Sequence, residues 1–282
     1  MKKNQLTPFI IFTCLSFSYP QFLFAQYKEQ NKIKNLQILF SGNHFGFDIS
    51  PLSVFKASTK NLKGDKVIRS SATPGFKTGL VYGINFNKEY SLKLGAEAII
   101  AGRNFEVNFY KDEFSPPLKK DYLLNGLKTF TGDLILGMPI SIEKRFLLRK
   151  NKYIHAAAGL RMNFSTGGDF DIDQVTVENI NNQYIHAAEI DKTANNDAKP
   201  WISYLVSIGR SYILGNNNIL QLSLISNLSF TKYVNGTYQI DIPGKPLSEG
   251  TYSSSGAYLG VSLNYVFTNA NYRLRKIYER VK

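Results

Sequence analysis

Residues 256–267 read GAYLGVSLNYVF, and this stretch alternates between apolar and polar side chains. The odd-numbered positions from 259 to 267 carry Leu, Val, Leu, Tyr and Phe, whereas positions 260, 262 and 264 carry Gly, Ser and Asn. Because successive side chains of a strand point to opposite faces, the pattern indicates a β-strand with one apolar and one polar face. Its length is that of a strand crossing a bilayer obliquely, about 9–11 residues.

Seven further segments repeat this alternation. They predict an all-β protein, an eight-stranded antiparallel transmembrane β-barrel with apolar side chains outward and polar side chains inward. In the first segment the apolar positions change register near Gly42, which suggests a β-bulge. The segments are residues 36–49, 75–86, 90–109, 129–148, 152–166, 200–214 and 218–240.

The connections between these segments alternate in length. Residues 87–89, 149–151 and 215–217 are short and polar, whereas the other connections are long, one of them covering residues 167–199. Bacterial outer-membrane barrels have short periplasmic turns and long extracellular loops. This alternation of loop lengths therefore favours a membrane barrel over the alternatives, a soluble β-sandwich or a soluble barrel, and places both ends of the barrel in the periplasm.

The N-terminal region has the pattern of a secretory signal peptide. Two lysines precede an apolar run, and Ala25 is a small residue at a plausible cleavage point. We expect a signal peptide at residues 1–25, a periplasmic segment at 26–35, the barrel at 36–267 and a basic periplasmic tail at 268–282. Cys14, the chain's one cysteine, falls within the signal, so neither disulfides nor thiolate chemistry are expected. The predicted location is the cell outer membrane.

The formal net charge of +13 would suit a nucleic-acid-binding protein. The basic residues are scattered, however, and the sequence shows no aromatic–basic stacking module of the kind that binds nucleic acid. For an exported barrel, the anionic headgroups of outer-membrane lipids and the phosphates of lipopolysaccharide are the more natural partners. We therefore expect no nucleic acid partner.

Charged side chains at the polar parity of the strands would face the lumen. An eight-stranded barrel is barely wide enough for its own side chains, so buried charges there must pair. We expect a salt-bridged plug in which Glu97 and Arg161 belong to a paired network; a narrow ion path and a ligand or catalytic site are the alternatives. The predicted lumen charge network consists of Lys77, Lys93, Glu97, Arg103, Asp133, Glu143, Arg145 and Arg161.

Candidate catalytic and metal-binding residues are few. The three histidines are His44, His155 and His186, and no Gly-x-Ser-x-Gly or His-Glu-x-x-His motif accompanies them. His44, expected on the outer half of the first strand, could face a loop carboxylate or serine. Residues 169–173 read DFDID, which could bind calcium but more simply extends a solvated strand. We expect no catalytic residues, no metal and no cofactor.

Tyr265 and Phe267 end the last predicted strand. A terminal strand that ends in an aromatic residue resembles the signal read by the barrel assembly machinery, which we therefore expect as a partner. The basic segment beyond it would form either a short amphipathic helix on the membrane surface or a disordered tail.

Residues 137–146 read GMPISIEKRF, and residues 153–160 read YIHAAAGL. This hairpin resembles the PorT-like outer-membrane β-barrel family common in Bacteroidetes. The resemblance implies an outer-membrane barrel, in most members without an assigned activity, although one namesake assists protein secretion. The leading hypothesis is a non-enzymatic barrel with a structural or binding role in its extracellular loops. The alternatives are a small pore or accessory of a secretion system, and a lipid-modifying enzyme or protease.

Overall fold

The computed structural model describes residues 40, 42–127, 133–149, 152–165, 172–194, 199–215 and 217–268. Its strands, in chain order, are β1 (His44–Val54), β2 (Ser58–Lys63), β3 (Arg69–Ser71), β4 (Thr73–Asn85), β5 (Tyr90–Ala101), β6 (Asn104–Phe109), β7 (Tyr122–Leu127), β8 (Asp133–Arg149), β9 (Lys152–Ser165), β10 (Ile172–Glu178), β11 (Tyr184–Ala194), β12 (Trp201–Ile213), β13 (Ile219–Leu228), β14 (Val234–Ile240), β15 (Ser248–Ser254) and β16 (Tyr258–Phe267).

Eight of these strands close into an antiparallel barrel in the order β1-β16-β13-β12-β9-β8-β5-β4, so the predicted fold class is confirmed. The chain's first and last barrel strands pair directly, with Phe45 opposite Phe267 and Val54 opposite Tyr258. Closure leaves no unpaired edge, which is what allows a sheet to cross a bilayer.

Side chains alternate between the two faces of the barrel wall as the sequence pattern requires. Burial along β1 alternates residue by residue, and apolar side chains such as Leu80, Ile140 and Ile208 are about half exposed on the outside. At the periplasmic end, the Lys144 ammonium lies 5.3 Å from the centre of the Tyr90 ring, an arrangement typical of a membrane interface. With its apolar exterior and closed wall, the protein is an outer-membrane β-barrel, in the predicted location.

Above the barrel, the long connections fold into two additional sheets, which together we call the cap. One sheet has five strands in the order β10-β11-β14-β15-β2, and the other has three in the order β3-β6-β7. The barrel wall leads directly into the larger sheet, since the Phe55 amide donates to the Ala257 carbonyl at 2.9 Å between the β1–β16 and β2–β15 ladders. A short 3₁₀ helix, Lys111–Glu113, follows β6.

The two cap sheets share one apolar core. The rings of Phe105 on β6 and Tyr252 on β15 meet edge to face at 4.7 Å, and Phe109 packs on Phe114 at 5.8 Å. Complete burial of side chains of this size contributes about 1.5–3 kcal/mol each. The larger of the two buried apolar clusters in the described residues therefore spans the cap and the extracellular mouth, rather than the middle of the barrel.

Three predicted strand boundaries are wrong. Of the first predicted segment, residues 36–39 and 41 lie outside the described residues, and the described strand begins at His44 rather than at residues 42–43. Phe40 is buried at the periplasmic end of the lumen instead of facing lipid. The segment predicted at 90–109 is two strands separated at residues 102–103, and that at 218–240 is two strands separated at residues 229–233. In both cases the apolar alternation resumes beyond the break, since the cap strand also buries one face.

The remaining domain predictions lie outside the described residues. The signal peptide, the segment 26–35 and the tail from residue 269 onward all fall there. Within the described part of the chain, no helix is long and apolar enough to span a membrane.

Candidate functional site

The lumen of the barrel is the most highly charged part of the interior. Seven of the eight predicted lumen charges are buried in the structure. The eighth, Lys93, has a side chain that is about one-fifth exposed and lines a lumenal cavity. Arg103 lies beyond the end of β5, at the extracellular mouth, rather than on a barrel strand. The charged side chains form three layers along the barrel axis.

The central layer joins side chains from five strands. The Lys77 ammonium contacts Asp48 at 2.7 Å and Glu97 at 2.9 Å. The other oxygen of Glu97 lies 3.7 Å from the Arg161 guanidinium, which donates to the Tyr258 hydroxyl at 2.7 Å. Glu97 and Arg161 thus belong to one paired network with as many carboxylates as cations.

The periplasmic layer is built around Glu143, which is completely buried. One of its oxygens accepts from Arg145 Nε at 2.8 Å, and the other contacts the Lys93 ammonium and lies 3.3 Å from the Gln221 amide nitrogen. The Gln221 carbonyl in turn accepts from Lys93 at 2.9 Å and from Asn264 at 3.3 Å. Two cations therefore share one carboxylate in this layer.

The extracellular layer closes the lumen beneath the cap. Arg103 and Asp133 form an ion pair, and the Tyr233 hydroxyl donates to the same carboxylate at 2.9 Å. The Tyr233 ring is stacked on Trp201 with centroids 5.0 Å apart and planes within 8°. At this level a flat aromatic pair thus packs beside a buried ion pair.

The histidines do not come together into one site. His155 is buried in the lumen, with Ser211 Oγ at 2.6 Å from Nδ1 and Ser223 Oγ at 2.7 Å from Nε2. His44 lies at the periplasmic end of β1, beside Asn85, and not on the outer half of the strand as predicted, because β1 begins at this residue. His186 is in the cap, 3.5 Å from Glu189.

This histidine geometry differs from that of a nucleophilic triad. Such a site needs a serine that reaches the substrate, a histidine base and a group, usually a carboxylate, that orients the base. Both ring nitrogens of His155 instead contact serine hydroxyls in the interior of the barrel. The described residues contain no group of three or more His, Cys, Asp or Glu side chains that could hold a metal ion. The acidic stretch at 169–171 lies outside them.

Among the cavities of the described residues, two small ones lie along the lumen. The larger, of about 90 Å³, lies between the central and periplasmic layers and is lined by side chains that include Lys77, Glu97 and His155. The smaller, of about 20 Å³, lies between Glu143 and the periplasmic end, where Phe40 covers it. Since about 10–15 Å³ of such volume admits one water-sized group, the smaller cavity has room for one and the larger for several.

Several residues of the network were missed from the sequence. Asp48 has the inward parity of its strand, since Phe45 and Phe47 face outward, and that signal would have identified it. Tyr258 and Tyr233 gave no such signal, because an aromatic side chain at the polar parity is indistinguishable from an interfacial one in the sequence.

The proposed assembly residues end the last barrel strand at its periplasmic side. Phe267 is half exposed and stacks on Phe45 of β1 with centroids 6.4 Å apart. The Tyr265 ring lies 5.0 Å from that of Phe267, and its hydroxyl accepts from Asn218 at 2.8 Å. Both rings thus lie where the first and last strands meet.

No protein-family model matches the sequence, and no curated protein matches it significantly. Among solved structures, the chain is similar to the outer membrane protein OprG from Pseudomonas aeruginosa, with 8% identity, a TM-score of 0.43, and coverage of 80% of this chain and 96% of that one. It is also similar to Neisserial surface protein A, with 10% identity, a TM-score of 0.33 and coverage of 79% and 97%.

A third similar structure is the outer membrane protease OmpT from Escherichia coli, with 9% identity, a TM-score of 0.33 and coverage of 79% of this chain and 97% of that one. These identities assign no family and no activity.

Proposed function

We propose that this protein is a non-conducting, non-enzymatic outer-membrane barrel that presents its cap as a binding surface outside the cell. The observation that supports the proposal is the succession of three layers of ion-paired side chains along the lumen. Separating a buried ion pair leaves two unpaired buried charges, which costs several kcal/mol. The layers therefore favour a plugged lumen over an ion-conducting one.

The cap supports the binding part of the proposal. Its two sheets enclose an apolar core of their own, while Tyr184, Leu62 and Ile180 are more than half exposed on the described surface. A surface held by a packed core loses little conformational entropy when a partner binds, which improves affinity without additional contacts. Flexible loops of the same composition would lose more.

Planar-bilayer recording of the purified protein tests the plug. We expect no steady conductance from the wild type, whereas an Arg161→Ala/Lys77→Ala variant, which removes the two cations of the central layer, should conduct if it inserts. Steady conductance of the wild type at the level of that variant would refute the plug and favour a small pore.

Site-specific cross-linking in cells tests the cap. Tyr184→Cys and Leu62→Cys place a thiol on the cap, and Lys88→Cys places one on a periplasmic turn as a matched control. We expect discrete cross-linked partners from the cap positions. Partners captured only from the control would mean that the protein acts as an accessory on the periplasmic side.

We also propose that the chain belongs to the PorT-like family, on the basis of the β8–β9 hairpin residues, and that a secretion-system component is among its candidate partners. The absence of an enzymatic role is supported by the closed surroundings of His155. His44→Ala and His155→Ala should leave lipid A modification and peptide cleavage by the purified protein unchanged. A measurable activity abolished by either substitution would contradict this.

A further inference from the structure

The charges of the lumen do not balance. Within the described residues, the buried or cavity-lining charged groups comprise five Lys or Arg side chains and four Asp or Glu side chains. The central layer is balanced, and so is the Arg103–Asp133 pair. The excess positive charge therefore lies in the periplasmic layer, where Lys93 and Arg145 share the single carboxylate of Glu143.

Unsatisfied hydrogen-bond donors surround the small cavity of the same layer. Ser91 is completely buried and its hydroxyl has no hydrogen-bond partner, and the Nη1 atom of Arg145, a side chain more than nine-tenths buried, has none either. Both residues line the cavity of about 20 Å³. A buried donor left without an acceptor is costly, so two such donors beside one void point to an occupant that accepts hydrogen bonds.

From these observations we infer that the cavity between Ser91 and Arg145 binds a single monatomic anion of the halide class. Such an ion would accept from both donors and neutralise the excess charge of the layer, whereas a water molecule would accept the hydrogen bonds and leave the charge unbalanced. Glu143 also lines the cavity, but its two oxygens are already engaged by Lys93, Arg145 and Gln221. The carbonyl oxygen of Asn264, which has no hydrogen-bond partner, also borders the cavity, and the ion would have to lie away from it.

The size of the cavity restricts the ion. A cavity needs about 10–15 Å³ of this kind of volume to hold one water-sized sphere, so about 20 Å³ admits one atom and excludes sulfate or an organic acid. Phe40, Ile219 and Val266 close the cavity on the periplasmic side with apolar surface. Displacement of the ion by bulk water is thereby hindered.

The test is the halide dependence of thermal unfolding in detergent micelles. At constant ionic strength, replacing sodium gluconate by sodium bromide should raise the melting temperature in proportion to the logarithm of the bromide concentration, and sodium sulfate should not. Crystals grown in bromide should show an anomalous peak between Ser91 and Arg145. A peak without a change in melting temperature would mean an adventitious ion only, and equal melting temperatures in bromide and gluconate would overturn the inference.

Three variants localise the effect. Arg145→Met leaves Lys93 and Glu143 as a balanced pair and should abolish the bromide dependence. Ser91→Ala removes one donor without a change of charge and should weaken it several-fold, which keeps the test decisive if Arg145→Met does not fold. Ser223 lines the larger cavity and not the smaller one, so Ser223→Ala should leave the bromide dependence unchanged. Loss of the bromide dependence in Ser223→Ala would refute the assignment to the small cavity.

Discussion

Replacing Glu143 by Gln should destabilise the barrel more than any other single neutralisation in the lumen. The substitution preserves the shape of the side chain but removes the carboxylate shared by Lys93 and Arg145. Arg145 is 7% exposed, so its charge has little access to water. Removing one partner of a buried ion pair costs about 3–5 kcal/mol, and we expect a loss of free energy of unfolding in that range.

Glu97→Gln is the matched control, because it removes another buried carboxylate, in this case from a layer that also contains Asp48. Lys77 retains Asp48 at 2.7 Å, and Arg161 retains the Tyr258 hydroxyl. The expected loss is that of a hydrogen bond to a charged group, about 1.5–3 kcal/mol.

Urea unfolding followed by tryptophan fluorescence would measure both losses. Trp201 is the chain's single tryptophan, and its stacking on Tyr233 makes it a reporter of the extracellular mouth. The double substitution Glu143→Gln/Arg145→Met should recover most of the stability, since it removes the stranded charge. Equal losses for Glu143→Gln and Glu97→Gln, or a loss below about 1 kcal/mol for the former, would refute the reasoning about shared carboxylates.

Three further predictions concern the cap and the barrel end. Burial raises the pKa of Glu113, but hydrogen bonds from Lys66 and the Tyr110 amide outweigh it, so the folded pKa is lowered. The stability from this pair is therefore present above the ordinary pKa, about 4.3, and lost as pH falls through the folded value; hydrogen exchange of the cap should show the loss in the wild type and not in Glu113→Gln. Gly236→Ala would put a Cβ 2.2 Å from a backbone oxygen of β11 and should make the cap protease-sensitive without preventing membrane insertion. Phe267→Ala should reduce the amount of barrel inserted in cells, whereas deletion of residues 270–282 should not; the opposite result would place the assembly signal in the tail.

The barrel was predictable from the sequence because a period of two determines the face of each side chain. Lys77 and Glu97 could be placed in the lumen on that basis alone. The same period does not reveal where a strand leaves the membrane. The apolar alternation of β5 resumes in β6, because the cap strand packs on an apolar core just as the barrel strand faces lipid.

Which side chains pair across the lumen was less predictable than which side chains face it. Arg161 on β9 donates to Tyr258 on β16, and these strands are not neighbours in the barrel. Which side chains meet across a lumen depends on the stagger and tilt of the strands, and neither can be read from one strand's pattern. Similarly, the excess cation beside Glu143 emerges only when charges are counted layer by layer.

The continuation of the β1–β16 ladder into β2–β15 has a mechanical consequence. The junction between the first and last strands is where a barrel must be sealed, and it is the contact formed between the most distant parts of the chain. Here that junction is extended beyond the bilayer by further strand pairs, from Ser58 opposite Ser253 to Lys63 opposite Glu249. Because these extra pairs lie at one edge of the larger cap sheet, separation of the junction would also require β2 and β15 to separate. The cap thus restrains the contact between the first and last barrel strands from outside the membrane.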